Sequence, residues 1–440
     1  MNLLHIGRGI LEQARALGAD EVSLSVSRST EVSLTRREGK LEQAQQATSL
    51  GVSLAILVDD RYSSHSTSDL RPEPLRGFLE RAIAATRALE PEEERRQPPV
   101  ELCGRGATEA QLDLHDPAWV EWTAEARREQ IETLEAAVDA LPERGRIKSA
   151  TVHLGDSSGE GARVMSNGFE AEHRSTGFGM GVEITLEEPN GRRPEAYSWY
   201  SSTHLGDLPD LHTLPREAWE RGAQRLGSGP MASGRYPMLL ENHAVGRILG
   251  VLGGPLSGSE LHQGRSCLAG KLGERIASDK LTILDEPLIP RGLGSRAWDG
   301  DGLRAIPRTI VENGVLRNYY INTYYSRKLK MPPTTGGRSN WVVPPGGRSR
   351  EAILAELPHA IVVTGFLGGN SNGLTGDFSF GIQGLYLEYG VVKAHLSEMN
   401  VSGNLFELLG NYAEAANDVW TWGGMRSPSL LFDGVQFSGT

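Results

Sequence analysis

The chain carries 440 residues with 45 Lys and Arg against 56 Asp and Glu, a formal net charge of -11. That length folds as two or three domains, and the acidic balance, with no Lys/Arg run longer than two residues, excludes a broad electrostatic footprint for nucleic acid. Its two cysteines, Cys103 and Cys267, stand far apart with no CxxC pair, which excludes a disulfide framework and a cysteine-rich zinc site.

The first twenty residues predict an amphipathic helix with Leu4, Ile10, Leu11, Ala14 and Leu17 as its apolar residues. They lack the basic and apolar regions of a signal peptide, and no apolar run of 18 residues occurs anywhere, so a cytoplasmic protein that avoids membranes is expected. Val22, Leu24 and Val26, then Val32 and Leu34, then Val52, Leu54, Ile56 and Val58 alternate with their neighbours, the period of a strand. A helix follows around residues 75–89, and the charged, proline- and glycine-bearing segment 90–107 reads as a linker or exposed crossing. Ile131, Leu134, Val138 and Leu141 make one helical stripe, after which Val152, Leu154 and the set Met180, Val182, Ile184 and Leu186 return to alternation. The C-terminal half is glycine-rich and strand-like, with helices expected at 242–252, 268–278 and near 404–413. Grouped rather than strictly alternating elements indicate an α+β fold. The expected organisation is an α/β region over 1–105, a middle α+β region over 106–230 and a strand-rich domain over 231–440.

Several strings imitate reactive motifs. In GFGMG (177–181) the glycines alternate inside a strand pattern and no helix follows, so no pyrophosphate loop is read there. WDGDG places Asp299 and Asp301 at calcium-loop spacing, but the position of the bidentate glutamate holds Ile310, which excludes an EF-hand. GNSNG (369–373) matches the nucleophile elbow around Ser371, yet the following residues read as sheet where the elbow needs a helix. ENHAVGRILG (241–250) is the most informative. It has the frame of a zinc-protease helix, which needs two imidazoles and a carboxylate base. Here Asn242 is a poor ligand, Arg247 is permanently cationic and only His243 is an imidazole; Glu260, His262 and Cys267 follow at irregular spacing.

With LHQGRSCLAGKLGERIASDKLTILDEPLIPRGLGSRAWDGDGLRAIPRTIVENGVLRNYYINTYYSRKLKMPPTT (261–335), GGNSNGLTGDFSFGIQGLYLEYG (368–390) and NVSGNLFELLGNYAEAANDVWTW (400–422), the stretch resembles, over nearly the whole chain, the TldD/PmbA family of bacterial and archaeal proteins once called modulators of DNA gyrase. These runs look most like its PmbA branch, also called TldE. In the catalytic TldD branch the helix reads HEAVGH and a late cysteine completes a zinc site. Aligned by AVG, this chain has Asn242, His243 and Arg247 at the His, Glu and His positions, and Gly423–Pro428 contains no cysteine. The resemblance therefore implies a chain with no catalytic residue, no metal ligand and no cofactor of its own. Zinc is expected in a TldD-like partner subunit, and the pair would cleave unfolded or flexible peptides.

The alternatives are a self-paired peptide-binding homodimer and a hydrolase remodelled around Ser371 or His243. A peptide can be gripped by addition to an open sheet edge. The polar loops at 338–341 and 368–377 supply small residues and amides for close backbone approach, making Arg338, Asn340, Asn370, Asn372 and Asp377 the candidate peptide-cleft residues. Arg247, standing in a ligand's direction, is expected to hold a carboxylate: that of Glu241 or a peptide's C-terminus.

Overall fold

The computed structural model describes residues 2–104 and 107–440. Six strands form one antiparallel sheet: β1 (Glu21–Arg37), β2 (Lys40–Val58), β3 (Arg61–Thr67), β4 (Ile147–Met165), β5 (Glu170–Leu186) and β6 (Glu195–Ser202), in the order β3-β2-β1-β4-β5-β6. The alternation dictates two unlike faces. Val22, Leu24, Val26, Val52, Leu54 and Ile56 turn towards the helices Leu3–Ala16 and Pro72–Arg87. Val152, Leu154, Met180, Val182 and Ile184 turn towards Ala124–Asp139 and Thr213–Ala223. The intervening positions of β1, β4 and β5 are largely serine and glycine.

This sheet spans the first two expected regions, because β1 pairs with β4 from Ser23–Met165 to Arg37–Thr151. The boundary expected between 105 and 106 lies outside the described residues. The crossing before it is tied down rather than loose: Arg327 donates to the carbonyls of Glu94, Arg96 and Gln97.

The C-terminal part contains β7 (Gly234–Leu240), β8 (Ile283–Asp285), β9 (Arg308–Glu312), β10 (Val315–Leu316), β11 (Trp341–Val342), β12 (Ala360–Ser371), β13 (Asp377–Glu388), β14 (Val391–Asn404), β15 (Tyr412–Ala415), β16 (Met425–Arg426) and β17 (Leu430–Ser438). Five of these make a small sheet, β10-β9-β8-β11-β16, and six make the order β14-β13-β12-β7-β17-β15. In the latter, β14 also pairs with β17 through Asn400–Ser438 and Val401–Phe437, which closes five strands into a ring. Met238, Leu240, Ile361, Val363, Phe380, Ile382, Phe432 and Phe437 belong to the core of this part. The α+β class is thus the one observed.

Three helical expectations are revised. Residues 268–278 form turns, because Gly270 and Gly273 sit at φ 76° and 84°, outside the helical region. The helix expected at 242–252 begins only at Val245 and tightens to a 3-10 turn at Gly250–Leu252. The one near 404–413 is the short Leu405–Gly410, capped by the Asn404 side chain. WDGDG is a turn in which the Asp299 carboxylate accepts from the backbone of Asp301, Leu303 and Gly336.

One buried ion pair fastens a helix to the sheet. Asp156 on β4, with its side chain wholly buried, takes two hydrogen bonds from Arg127 at 2.6 and 2.7 Å and one each from the indoles of Trp119 and Trp122. Removing one partner of such a pair strands the other charge. Asp156→Ala is expected to destabilise the chain by about 3–5 kcal/mol, measurable by chemical denaturation, whereas an exposed pair such as Arg76–Glu80 should cost below about 1 kcal/mol.

Candidate functional site

β7 delivers its last residues, Met238, Leu239 and Leu240, fully buried between β12 and β17. The Glu241 N–H still bonds the Val363 carbonyl, and the chain then turns through 241–244 before the helix Val245–Leu249. The turn is held by Asn242. Its backbone N–H donates to Ser429 Oγ, and its Nδ2 donates to the Asp418 carbonyl at 2.6 Å. Its Oδ1 accepts the His243 N–H at 2.7 Å. Both polar groups of the Asn242 side chain are thereby spent on local structure.

His243 meets an arginine that comes from the first part of the chain. Arg221, near the end of the helix Thr213–Ala223, places a guanidinium nitrogen 2.6 Å from His243 Nε2. A guanidinium can only donate, so Arg221 uses Nε2 as its acceptor; the same Nε2 lies 3.1 Å from the Thr364 carbonyl, and Nδ1 faces Asn242 Oδ1 at 3.3 Å. Burial, and then the neighbouring Arg221 charge, push the imidazole down to about 4. Glu241 lies 3.4 Å from the same ring and pairs with Arg350 at 2.5 Å. Burial raises its carboxyl above the usual range against the pull of Arg350 and Arg221. Over the imidazole stands Trp420, 5.9 Å between ring centroids, which packs on Trp422 and Tyr200. Tyr200 in turn donates to Glu217 at 2.6 Å.

Zinc chemistry does not fit these residues. A ligand imidazole must offer a free lone pair, and that of His243 is engaged by a cation. Met425, in the segment aligned with the late cysteine, does lie beside the helix, since a Cβ on Gly246 would stand 3.7 Å from Met425 Cβ. It brings a thioether in place of a thiolate. Among the described residues no three His, Cys, Asp or Glu side chains gather as a metal set. Glu260 pairs with Arg265, and His262 faces Tyr325 rather than His243.

Arg247 does not hold Glu241, the first of the two carboxylates expected for it. Glu241 is held by Arg350, while the exposed Arg247 lies 4.6 Å over the Phe380 ring and donates to the Gly369 carbonyl at 3.2 Å. It pins the β12–β13 hairpin. That hairpin carries Asn370, Ser371, Asn372 and Asp377, all exposed. Asn372 and Asp377 shape its turn, the first accepting from the Leu374 N–H and the second from Thr375 and Asn404. Arg338 is also exposed, over Trp341. Asn340 leaves the set: it is fully buried, its amide bonded to Glu286, Ser295 and Gly294. Ser371 ends a strand, with a turn and then β13 after it, so the nucleophile elbow is absent. Its pairing partner Phe378 is seven residues along β13 from Leu385, the partner of His395, roughly 23 Å at strand rise, far beyond proton transfer. Sequence reasoning missed Arg221, Glu217, Trp420 and Arg350. Only the WTW string at 420–422 offered a signal, as aromatic side chains in an otherwise polar run.

Three family models cover the chain: PmbA/TldA metallopeptidase domain 1 at residues 22–86, the central domain at 120–226 and the C-terminal domain at 233–439. The crystal structure of a Bacteroides thetaiotaomicron protein, described as a candidate modulator of DNA gyrase, superposes with a TM-score of 0.95 at 34% identity, covering 99% of this chain and 98% of that one. The chain belongs to the PmbA/TldD family. Metalloprotease PmbA of Escherichia coli O157:H7 is 26% identical over 98% of this chain and 97% of its own length. The structure of TldE from Thermococcus kodakarensis has a TM-score of 0.81 at 20% identity over 99% of this chain and 100% of that one, a likeness of fold alone. This PmbA/TldD chain has no helix long and apolar enough to cross a membrane among its described residues.

A histidine kept neutral in the fold makes stability acid-sensitive. With its folded value near 4 against an ordinary 6.5, the unfolded chain binds the extra proton first. Stability is therefore lost as pH falls from about 6.5 towards 4 and levels off below. His243→Gln should remove about 2 kcal/mol of the stability difference between pH 7 and pH 4.5, read from denaturation curves at the two pH values.

Proposed function

We propose that this chain is the TldE-like, non-catalytic member of a TldD/TldE-type peptidase complex, and that it works by holding unfolded or flexible peptide for a zinc-bearing TldD-like subunit. The observation that carries this reading is the Arg221 guanidinium on His243 Nε2. It puts a fixed cation where a hydrolytic metal would need a lone pair, and a divalent ion is repelled from such a place. Asn242 and Arg247, committed to Asp418 and Gly369, support it further.

Peptide capture has physical means in this chain. β3 pairs with β2 only over Val52–Val58, so residues 40–51 of β2 keep β1 on one side and an open edge on the other. That edge is exposed apart from the half-buried Leu50 and Gly51 and mixes polar side chains with Leu41, Ala44 and Ala47, the kind of edge an extended peptide can join through main-chain hydrogen bonds. The same edge favours the second reading, a homodimer in which two copies pair there.

The purified chain is expected to hold no stoichiometric zinc and to cleave no peptide, while an HExxxH-bearing family subunit from the same genome copurifies with it and gains peptidase activity. Elemental analysis finding zinc that disappears in His243→Ala would overturn the reading. A stable homodimer with no affinity for the HExxxH chain would favour the second.

A quadruple variant probes the frame itself. N242H, H243E and R247H with M425C should take up zinc weakly by isothermal titration, and adding R221A should strengthen uptake at least about tenfold, one such step being worth about 1.4 kcal/mol. No uptake by a folded variant would mean that the backbone here has left the catalytic geometry.

A further inference from the structure

Far from the His243 turn, a cavity of about 500 Å³ lies between the serine face of the six-stranded sheet and residues 300–324. Its floor follows from strand register. Arg163 on β4 is opposite Ser25 on β1, Ser25 is opposite Ser53 on β2, and Ser53 is opposite Ser66 on β3. All four therefore share one face, with Ser23 and Ser64 in the next row. Tyr62 and Tyr324 wall the cavity, with the Arg95 guanidinium between them at 4.8 and 3.6 Å from their rings.

The cations of this cavity are unequally matched. Arg95 pairs with Glu92, and Arg96 with Asp60 and Glu21. Arg163 donates only to neutral hydroxyls, Ser25 at 3.1 Å and Ser23 at 2.9 Å. Its Nε is buried with no hydrogen-bond partner, and among the described residues no carboxylate stands within ion-pair distance of it. Asp301, which lines the same cavity, and Asp299 attract Arg163 from beyond that distance, and one Asp301 oxygen is taken up by the Thr323 N–H at 2.8 Å. The second observation is independent. Thr323 is only 6% exposed, it lines the cavity from the opposite side, and its hydroxyl also has no partner. A guanidinium nitrogen and a hydroxyl buried without partners each cost folding free energy, and such costs persist where a ligand repays them.

We propose that this cavity is an oxyanion-binding site, with Arg163 supplying the charge, Thr323 a further donor and the serine hydroxyls the remaining hydrogen bonds. Its ligand carries a carboxylate or a phosphate group. A guanidinium beside several hydroxyl donors suits either, and the tyrosine walls leave room for an organic remainder. The site stands whether or not the chain pairs with a catalytic subunit.

The test uses the full chain at low ionic strength with three probes: inorganic phosphate, trialanine with a free carboxylate and trialanine amide. Binding is followed by isothermal titration and by thermal protection. Phosphate or the free-acid peptide should bind and protect, and the amide should not. Protection by the peptide acid assigns a peptide's C-terminal carboxylate, and protection by phosphate alone assigns a phosphate ligand; both support the site. Arg163→Met should weaken binding at least tenfold while leaving the ligand-free chain as thermally stable as before, or more so. Thr323→Val, which keeps shape and loses the hydroxyl, should weaken binding several-fold and serves if Arg163→Met does not fold. Equal binding by the wild-type chain and a folded variant, or no binding of phosphate or peptide acid by the wild type, would overturn the proposal.

Discussion

The two-faced six-stranded sheet is the constraint on which the rest of the molecule depends. Its even positions in β1, β4 and β5 are branched or long and bury themselves under four helices; its odd positions are mostly serine and glycine. Small residues let another layer approach closely, and the C-terminal part uses both faces. On the serine–glycine side, Trp298 meets Phe169 and His173, and Gly302 packs so tightly against Met165 and Phe169 that a Cβ would stand 2.9 Å from the methionine sulfur. On the helix side, Trp420 and Trp422 close on Tyr200. Were the odd positions bulky, the two parts could not engage in this way, and neither Arg163 nor Arg221 would find itself enclosed.

The enclosed cations are treated in three ways, and the differences carry the functional argument. Arg127 is fully matched by Asp156, which also satisfies two indoles; such a saturated pair fastens structure. Arg221 is set against a neutral imidazole and shares the neighbourhood of Glu241, Arg350 and Glu217. That arrangement encloses a cation against the face of the imidazole that a metal would need. Arg163 has hydroxyls for hydrogen-bond partners and one nitrogen unused. Asp301 and Asp299 attract it only from beyond ion-pair distance, and a charge matched so loosely adds less to stability than the saturated Arg127–Asp156 pair.

How much of this was legible depended on whether the signal was local. Period-2 alternation in Val22–Val26 and Val52–Val58 marked β1 and β2 because a half-buried strand must repeat every second residue. The 241–247 turn was legible as a departure from HEAVGH, since Asn242 and Arg247 do not have the chemistry of zinc ligands wherever they point. The helix expected at 268–278 failed because apolar spacing there was overruled by two glycines held at positive φ. Asn340 was misjudged because a polar residue in a polar-looking loop gives no sign that its amide will be fully buried as an internal strut. Arg221 could not be found at all. It lies 22 residues before His243, in a helix whose own pattern reports only packing on the sheet, and its role arises where two parts of the chain meet.

The fate of the ligand positions then has a physical logic. The turn presents a carboxylate and an imidazole side by side, Glu241 and His243, both largely enclosed. Left alone, that carboxylate would be an uncompensated buried anion. Arginine from two other elements fills the deficit: Arg350 on Glu241, Arg221 on His243. The position aligned with the second histidine, Arg247, is released from the site and fastens the hairpin that carries Asn370 and Asn372. Compensation is thus distributed over elements remote in sequence. For that reason a single substitution at 242, 243 or 247 cannot reverse it: the incoming metal would meet a guanidinium already in place, and expelling that guanidinium would unbalance Glu241 before any ligand was gained.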